Sequence, residues 1–111
     1  MSQFIIQGGK KLSGDVYIGG AKNFVLKALP AALLCDGLVE IGNIPAIEDV
    51  RRMSEILENL GVVIKNSEQS LILDARHVQS TVLNSELSKR LRSSVMLVGP
   101  LLARFGRARV A

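Results

Sequence analysis

Short apolar runs separated by turn residues open the chain. Phe4–Ile6 is apolar, a glycine pair follows it, and Lys11–Ile18 is strand-like with a turn at Ser13–Gly14. Apolar runs bounded by glycine-containing turns are typical of β-strands. We therefore predict two short strands ahead of the first helix.

The next apolar stretch predicts a helix from Asn23 to about Leu34. Its side chains are apolar in nearly every direction, with Lys27 as the exception. A helix that is apolar all round is normally buried on every side. Pro30 lies inside this helix and lacks an N–H group, so we expect a bend there. The pattern indicates a helix enclosed by sheets.

Beyond this helix the pattern alternates between strand and helix. Leu38–Ile41 alternates as a half-buried strand, and the spacing predicts a helix from about Ala46 to Leu60. Val62–Lys65 and Ser70–Asp74 predict two further strands joined by a polar hairpin turn. Residues 15–74 therefore spell one β-α-β-α-β-β unit.

The helix ending at Leu60 has one apolar stripe and one charged face. Acidic residues begin it and Gly61 follows it, as is typical of helix ends. The charged face is most simply a solvated surface, and we assign it no chemistry. The apolar set is Ile47, Val50, Met53, Ile56, Leu57 and Leu60; the charged set is Glu48, Asp49, Arg51, Arg52, Glu55 and Glu58.

A third helix is predicted from Glu86 to about Phe105. Ser85 is a suitable N-cap, Gly106 a suitable end, and Pro100 is expected to bend the helix. Arg107–Ala111 then resembles the start of another strand, and we expect the chain to be a segment of a longer protein. The expected apolar stripe is Leu87, Leu91, Val95, Val98 and Leu102.

Composition indicates a folded protein of one domain or less. The chain has 111 residues, of which 48% are hydrophobic and 22% charged, proportions that do not suit a disordered chain. The amino terminus has no signal-peptide pattern, and no apolar run is long enough to span a membrane. Cys35 is the single cysteine; we interpret it as buried packing in a reduced, cytoplasmic protein.

Charge is concentrated towards the carboxyl end, within a formal net charge of +4. No acidic residue follows Glu86, so this third of the chain favours phosphates or a nucleic-acid backbone. A nucleic-acid-binding domain is the less favoured alternative, because only Phe105 could stack on bases nearby. The basic residues are Lys89, Arg90, Arg92, Arg104, Arg107 and Arg109.

The turn Gly19–Asn23 carries the strongest chemical signal in the chain. A glycine pair at a strand-to-helix junction allows a ligand to approach closely, and the first N–H groups of a helix favour an anion. Lys22 adds a positive charge and Asn23 adds amide donors and an acceptor. The alternative is a plain turn in which Lys22 is solvated and Asn23 caps the helix.

These segments together resemble the amino-terminal portion of the UDP-N-acetylglucosamine 1-carboxyvinyltransferase family, also called UDP-N-acetylglucosamine enolpyruvyl transferases. The similarity runs in order along nearly the whole chain, which makes it more specific than any single motif. The matching segments are Gly19–Asn23, Leu29–Leu34, Ile41–Pro45, Asp49–Val50, Leu60–Gly61, Asp74–Arg76, Leu91–Ser94 and Gly99–Gly106.

The resemblance implies an α+β fold, an inside-out α/β barrel of β-α-β-α-β-β units with helices inside and sheets outside. It implies that residues 1–20 are strands that pack with a second domain. Residues 21–111 would then be an incomplete first domain, with the first unit ending at about residue 74 and the second starting in residues 75–111. Enclosure by sheets would explain the helix that is apolar all round.

The resemblance also implies a reaction without metal or organic cofactor. The enolpyruvyl group of phosphoenolpyruvate is transferred to the 3′-hydroxyl of UDP-N-acetylglucosamine, the first committed step of peptidoglycan synthesis. Lys22 and Asn23 match positions that hold phosphoenolpyruvate, and Arg92 matches a position that binds the UDP-sugar. The family's catalytic cysteine would follow Ala111, and Cys35 does not match it. We expect the 111-residue chain to be inactive alone and to self-associate or pack on other chains.

A second hypothesis is the related transferase that moves the same enolpyruvyl group to shikimate 3-phosphate. That family carries Ser after the equivalent lysine, whereas this chain has Asn23. The run Leu101–Gly106 also favours the UDP-sugar enzyme. The expected partners are therefore phosphoenolpyruvate and UDP-N-acetylglucosamine, with no nucleic acid and no membrane.

Overall fold

The computed structural model describes residues 2–110, which form four α-helices, two 3₁₀ segments and one three-stranded sheet. The helices are α1 (Lys22–Ala31), α2 (Glu48–Leu60), α3 (Ser85–Lys89) and α4 (Val98–Phe105). The strands are β1 (Leu38–Ile41), β2 (Val63–Ser67) and β3 (Ser70–Asp74), and the 3₁₀ segments are Ala32–Leu34 and Arg92–Leu97.

The sheet is antiparallel, in the order β1-β3-β2. Strand β3 is central, so that Asp74 lies opposite Leu38 on one side and Val63 on the other. The β2–β3 hairpin turns at Glu68, whose φ of 52° is the left-handed conformation that tight hairpin turns require. Alternation along β3 buries Leu71 and Leu73. The predicted strands from residue 38 to residue 74 are thus confirmed to within a few residues.

The core lies where α1 and α2 pack against each other and against β3. The predicted stripe of α2 is confirmed, because five of its six members are buried and Ile47 is half-buried. Gly61 ends α2 with φ of 114°, and a Cβ there would lie 2.9 Å from the backbone of both His77 and Gln79. The largest fully buried side chains are Val25, Leu29, Pro30, Leu33, Met53, Ile56, Leu57, Leu60, Leu73, Leu97 and Leu101.

The two strands predicted in the amino-terminal segment are not present. Residues 2–20 contain no strand, and the side chains of Phe4 and Tyr17 are each 95% exposed. A strand needs a neighbour to accept and donate its backbone hydrogen bonds, and no strand of residues 2–110 pairs with this segment. Packing of residues 1–20 on a second domain stays a prediction, and Met1 lies outside the described residues.

Helix α1 is buried on one side rather than all round. Phe24 is 64% exposed, and Leu34, in the 3₁₀ segment that follows α1, is 56% exposed. Within residues 2–110, α1 packs on α2 and the 3₁₀ segments, and no sheet covers its outer side. The chain tightens into a 3₁₀ turn after Ala31; Pro30, one residue earlier, donates no hydrogen bond. The N-cap of α1 is Ala21, so the alternative in which Asn23 caps the helix is wrong.

The predicted third helix is divided into α3, a 3₁₀ segment and α4. Its N-cap is Asn84, whose side-chain oxygen accepts a hydrogen bond from the Leu87 N–H, rather than Ser85. The helix is interrupted at Leu91, whose backbone is extended, with φ of −141° and ψ of 107°. Pro100 lies in the first turn of α4, where a missing N–H costs little.

The break also changes which side chains enter the core. A 3₁₀ segment has 3.0 residues per turn, so an apolar stripe counted at 3.6 loses its phase across it. Val95 and Leu102, predicted to be buried, are 56% and 48% exposed, while Leu97 and Leu101 are fully buried instead. The stripe predicted for one continuous helix is therefore wrong beyond the break.

The carboxyl-terminal end returns beside residues 81–83. Val82 and Arg109 form a parallel bridge, and the Leu83 N–H donates to the Arg109 carbonyl oxygen at 2.9 Å. A parallel pair joined through helices is the β-α-β arrangement. The strand predicted from Arg107 is thus present as one bridge, and Ala111 lies outside the described residues.

Arg104 joins three elements of the core, and its removal tests how much this junction contributes. Its Nη1 donates to the carbonyl oxygens of Leu33, at 2.8 Å, and Ala75, at 2.6 Å, and its guanidinium lies 4.8 Å from the centre of the Phe105 ring. Arg104→Ala leaves both carbonyls without this donor. We expect the free energy of unfolding to fall by about 2 kcal/mol, measured by urea denaturation.

The matched control for this prediction is Arg107→Ala, which removes the same charge from an exposed position. We expect it to change the free energy of unfolding by less than about 0.5 kcal/mol. Equal decreases in the free energy of unfolding for the two variants would show that the charge of Arg104, and not its two carbonyl contacts, contributes to stability.

Cys35 is exposed, which corrects its interpretation as buried packing. It follows the 3₁₀ segment Ala32–Leu34 in extended conformation, where the chain leaves the core for β1. Across residues 2–110, no helix is both long enough and apolar enough to cross a membrane.

Candidate anion-binding site

The backbone at Gly20 sets the position at which α1 begins. A Cβ at Gly20 would overlap the carbonyl oxygen of Asn43 and approach the Pro45 side chain to 3.1 Å. Only glycine allows this close approach between the chain entering α1 and the loop entering α2. A Cβ at Gly19 meets nothing within 4 Å, so the two glycines of the predicted turn differ in role.

The first turns of α1 and α2 lie side by side as a result. Lys22 and Asn23 are the first two residues of α1, and Asp49 is the second residue of α2. The Lys22 ammonium lies 3.6 Å from the Asp49 carboxylate, with the two side chains 54% and 35% exposed. N–H groups in the first turn of a helix have no partner within it, so two positive helix ends meet here.

A pocket of about 390 Å³ opens at this junction, and we call it the cationic pocket. It contains Lys22, Asn23 and Arg92, the three site residues that the resemblance implied. Four cationic side chains and one carboxylate line it, which favours a ligand with several negative charges. The lining residues are Lys22, Asn23, Leu26, Lys27, Asp49, Arg90, Leu91, Arg92, Ser93, Val95 and Met96.

Arg92 reaches the pocket because the chain turns sharply after α3. Leu91 is 3% exposed and anchors the turn in the core, while Arg92 immediately follows it on the surface. The Ser94 N–H donates to the Leu91 carbonyl at 3.1 Å and its hydroxyl to the Ser88 carbonyl at 3.4 Å. In an uninterrupted α-helix, the neighbouring side chains of Leu91 and Arg92 would point 100° apart around the helix axis, and the chain would form no corner.

A second contact to this corner comes from α2. Arg52 Nη1 donates to the Arg90 carbonyl oxygen at 2.7 Å, and its Nε lies 3.4 Å from a carboxylate oxygen of Glu48. Arg90 is the C-cap residue of α3, where carbonyl groups lack helical partners and favour a cation. Helix α2 therefore contacts both walls of the pocket, through Asp49 and through Arg52.

Asp49 and Arg52 correct the interpretation of the α2 charged face as solvated and without role. Their neighbours Arg51, Glu55 and Glu48 do form a surface network, with ion pairs from Arg51 to both carboxylates. The hydrogen bond from Arg51 lowers the pKa of Glu48. The sequence held no signal that separates Asp49 and Arg52 from these neighbours, because Lys22, the partner of Asp49, belongs to α1, and the carbonyl that Arg52 contacts lies at the end of α3.

Asp74 and Arg76 form an ion pair outside the pocket. Side-chain and backbone hydrogen bonds from Arg76 hold the pKa of Asp74 well below its usual range. A larger groove of about 880 Å³ lies on the other side of α2, between Tyr17–Gly20, the loop at Asn43 and the β2–β3 hairpin. Neither feature contains the predicted site residues.

The donors in the cationic pocket suit anions rather than metal ions. Asp49 is its one carboxylate, and its lining includes no thiol and no imidazole. Within residues 2–110, no group of three or more His, Cys, Asp and Glu side chains could hold a metal ion. Ammonium, guanidinium and amide groups instead donate hydrogen bonds, and they are well matched to phosphate and carboxylate.

The family described as EPSP synthase (3-phosphoshikimate 1-carboxyvinyltransferase) matches residues 6–111. Two relatives, each named UDP-N-acetylglucosamine 1-carboxyvinyltransferase, match all 111 residues. The protein from Geobacter metallireducens is 42% identical, with 27% of its length covered, and that from Trichlorobacter lovleyi is 40% identical, with 26% covered.

The crystal structure of the enolpyruvyl transferase NikO from Streptomyces tendae has a similar fold, with a TM-score of 0.76 and 28% identity. The similarity covers 91% of this chain and 24% of that one. The chain thus spans about a quarter of the length of the proteins it resembles.

The fold and these similarities place the chain in the EPSP synthase family of enolpyruvyl transferases. Within that family it is similar to proteins named UDP-N-acetylglucosamine 1-carboxyvinyltransferase. The prediction of an α+β, enolpyruvyl-transferase fold is confirmed, and so is the resemblance on which it rested.

Proposed function

We propose that this chain provides the first part of a transferase that moves the enolpyruvyl group of phosphoenolpyruvate to the 3′-hydroxyl of UDP-N-acetylglucosamine. One observation carries the proposal: the cationic pocket brings Lys22 and Asn23 together with Arg92, almost 70 residues later in the chain. The names of the two relatives supply the acceptor sugar nucleotide and the type of group transferred.

In this proposal Lys22 and Asn23 hold phosphoenolpyruvate. The Lys22 ammonium has three N–H donors, so it can contact a phosphate or carboxylate while Asp49 keeps one of them. The Asn23 amide then orients the ligand through directional hydrogen bonds. Both side chains stand at the start of α1, where the unpaired N–H groups add to the attraction for an anion.

Arg92 is proposed to bind the UDP-sugar from the part of the pocket wall that follows α3. Its planar guanidinium can donate two parallel hydrogen bonds to one phosphate. The exposed apolar side chains of Val95 and Met96 follow it on the rim. Placing both substrates in one pocket converts a reaction of two molecules into a reaction within one complex.

The chemistry proposed is addition followed by elimination. The sugar 3′-hydroxyl loses its proton as its oxygen bonds to the central carbon of phosphoenolpyruvate, and a proton adds to the methylene carbon, which gives a tetrahedral intermediate. Loss of a proton from the resulting methyl carbon and of phosphate from the central carbon restores the double bond. Positive side chains in the cationic pocket stabilise the charge on the phosphate and carboxylate throughout.

We further propose that these residues bind but do not complete the reaction. Cys35 is the single cysteine and does not line the cationic pocket, and Asp49 is occupied by Lys22. Turnover would then need groups outside these 111 residues. The proposed setting is the cytoplasm, where the product would supply peptidoglycan synthesis and hence the cell wall.

A decisive test replaces the matching segment of the Geobacter metallireducens relative with residues 1–111 of this chain. Phosphate release is measured with phosphoenolpyruvate and either UDP-N-acetylglucosamine or shikimate 3-phosphate. We expect the hybrid to release phosphate with UDP-N-acetylglucosamine as acceptor and not with shikimate 3-phosphate. We expect the 111-residue chain by itself to release none. A hybrid that is inactive while the parent is active would overturn the proposal.

The second candidate acceptor is shikimate 3-phosphate, which the description of the matching family favours. Release with this acceptor and not with the sugar nucleotide would establish it. A nucleic-acid-binding role has less support, because Arg104 donates to two carbonyls of the core and Arg90 and Arg92 line the cationic pocket. The basic residues of the last third therefore do not form one continuous surface.

A further inference from the structure

Several hydrogen bonds hold the corner between α3 and the pocket wall. Within the segment, Ser94 bonds to Leu91 and Ser88, and the Leu91 N–H donates to the Ser88 carbonyl oxygen at 3.2 Å. Arg52 provides a side-chain hydrogen bond from another part of the fold, from α2, 38 residues earlier in the chain. At 2.7 Å, with an ionised donor, this hydrogen bond has the geometry of the stronger class.

We propose that Arg52 is a positioning residue for the Arg92 guanidinium. Arg52 does not line the cationic pocket, so it acts through the Arg90 carbonyl and the Leu91 corner that directs Arg92. The proposal deepens the proposed function, on which its consequence for UDP-sugar binding rests. Without Arg52, residues 90–92 keep their sequence and charge but lose the contact that fixes them to α2.

The geometry of Arg52 itself supports this role. Its side chain is 36% exposed, less than the 60% of neighbouring Arg51, and Glu48 contacts it from one turn earlier. A guanidinium held by a carboxylate loses less freedom when it donates to a second acceptor. The Arg90 carbonyl also belongs to the C-terminal end of α3, where backbone oxygens lack partners.

The helix offers a matched control in Arg51. Arg51→Ala removes the same charge from the neighbouring position, but within residues 2–110 the Arg51 side chain forms ion pairs with Glu48 and Glu55 of its own helix only. Arg52→Lys is the conservative variant, because an ammonium can still donate to the Arg90 carbonyl. Any effect of net charge or of local helix stability would be shared by Arg51→Ala and Arg52→Ala.

The first readout needs no substrate. In the ¹⁵N-labelled 111-residue chain, backbone order parameters of residues 90–93 are expected to fall from about 0.85 to below about 0.6 in Arg52→Ala. They should keep the wild-type value in Arg51→Ala and Arg52→Lys, and residues of α1 should be unaffected in all variants. Unchanged order at residues 90–93 in Arg52→Ala would overturn the proposal.

The second readout uses the hybrid transferase with both substrates. Arg52→Ala is expected to raise the KM for UDP-N-acetylglucosamine about fivefold, as for a charged hydrogen bond weakened by partial exposure, and to change the KM for phosphoenolpyruvate less than about twofold. Equal changes in both KM values, or the same change in Arg51→Ala, would overturn it. An inactive wild-type hybrid would instead count against the proposed function, and the order parameters would still decide the role of Arg52.

Discussion

Lys22→Ala should abolish most of the affinity for phosphoenolpyruvate. The substitution removes the ammonium at the meeting point of two helix ends, and it leaves the Asp49 carboxylate unpaired in the same pocket. Charged hydrogen bonds contribute about 1.5–3 kcal/mol, and the unpaired carboxylate adds repulsion of the anion. We expect kcat/KM for phosphoenolpyruvate to fall at least about 30-fold in the hybrid transferase.

Lys65→Ala is the control for this loss. Lys65 is exposed on β2 and lines neither the cationic pocket nor the larger groove, so it tests the effect of net charge alone. Lys22→Arg keeps a cation but places a wider, planar group in the site, and we expect it to recover only part of the activity. If Lys22→Ala and Lys65→Ala had equal kcat/KM values, the assignment of Lys22 to the substrate would be wrong.

Gly20→Ala should strongly destabilise the chain, although Gly20 is only half-buried. The added Cβ would overlap the Asn43 carbonyl oxygen and lie 3.0 Å from its carbon. Backbone on both sides of the contact must move, since neither neighbour is a flexible side chain. Overpacking of this kind costs about 1–3 kcal/mol, and we expect the upper end of that range.

Urea denaturation of the 111-residue chain measures this effect directly. Gly19→Ala is the matched control, because its Cβ would meet no atom within 4 Å, and we expect a change of less than about 0.5 kcal/mol. A shifted Gly20 would also move the start of α1 and therefore Lys22. A variant at Gly20 with wild-type stability would show that the loop at Asn43 adapts without cost.

The two arginine predictions separate stability from substrate binding. Arg104 donates hydrogen bonds to two carbonyl oxygens of the core, so its loss should lower the free energy of unfolding without changing the KM of one substrate more than that of the other. Arg52 contacts a corner of the pocket wall, so its loss should affect one substrate more than the other. Measuring both unfolding and KM for each variant would show whether these two roles are independent.

Local pattern was sufficient for the elements whose own residues decide their structure. Helix α2 has a complete apolar stripe, acidic residues in its first turn and Gly61 in the left-handed conformation after its last. The strands from Leu38 to Asp74 are short apolar runs bounded by turn residues, and they lie next to each other in the sheet. The position of Lys22 and Asn23 at the start of a helix was likewise predictable, because a glycine pair precedes them.

Pattern was insufficient where a distant part of the chain decides the outcome. The segments Phe4–Ile6 and Lys11–Ile18 resemble strands in their apolar runs and turn residues, but no strand in residues 2–110 pairs with them. The break at Leu91 depends on its burial in the core and on contacts to the residues around it, one of them from Arg52. Once that break is present, Leu97 and Leu101 replace Val95 and Leu102 in the core.

For this protein, the amino-acid sequence alone determined the secondary structure between Leu38 and Asp74, and it placed a lysine and an asparagine at a helix start. Two features could be seen only in the folded chain: Arg92 and Asp49 share a pocket with Lys22, and Arg52 contacts the carbonyl of Arg90, which lines that pocket. The reason is physical: periodicity reports which face of a segment is buried, whereas a binding site depends on which distant segments meet.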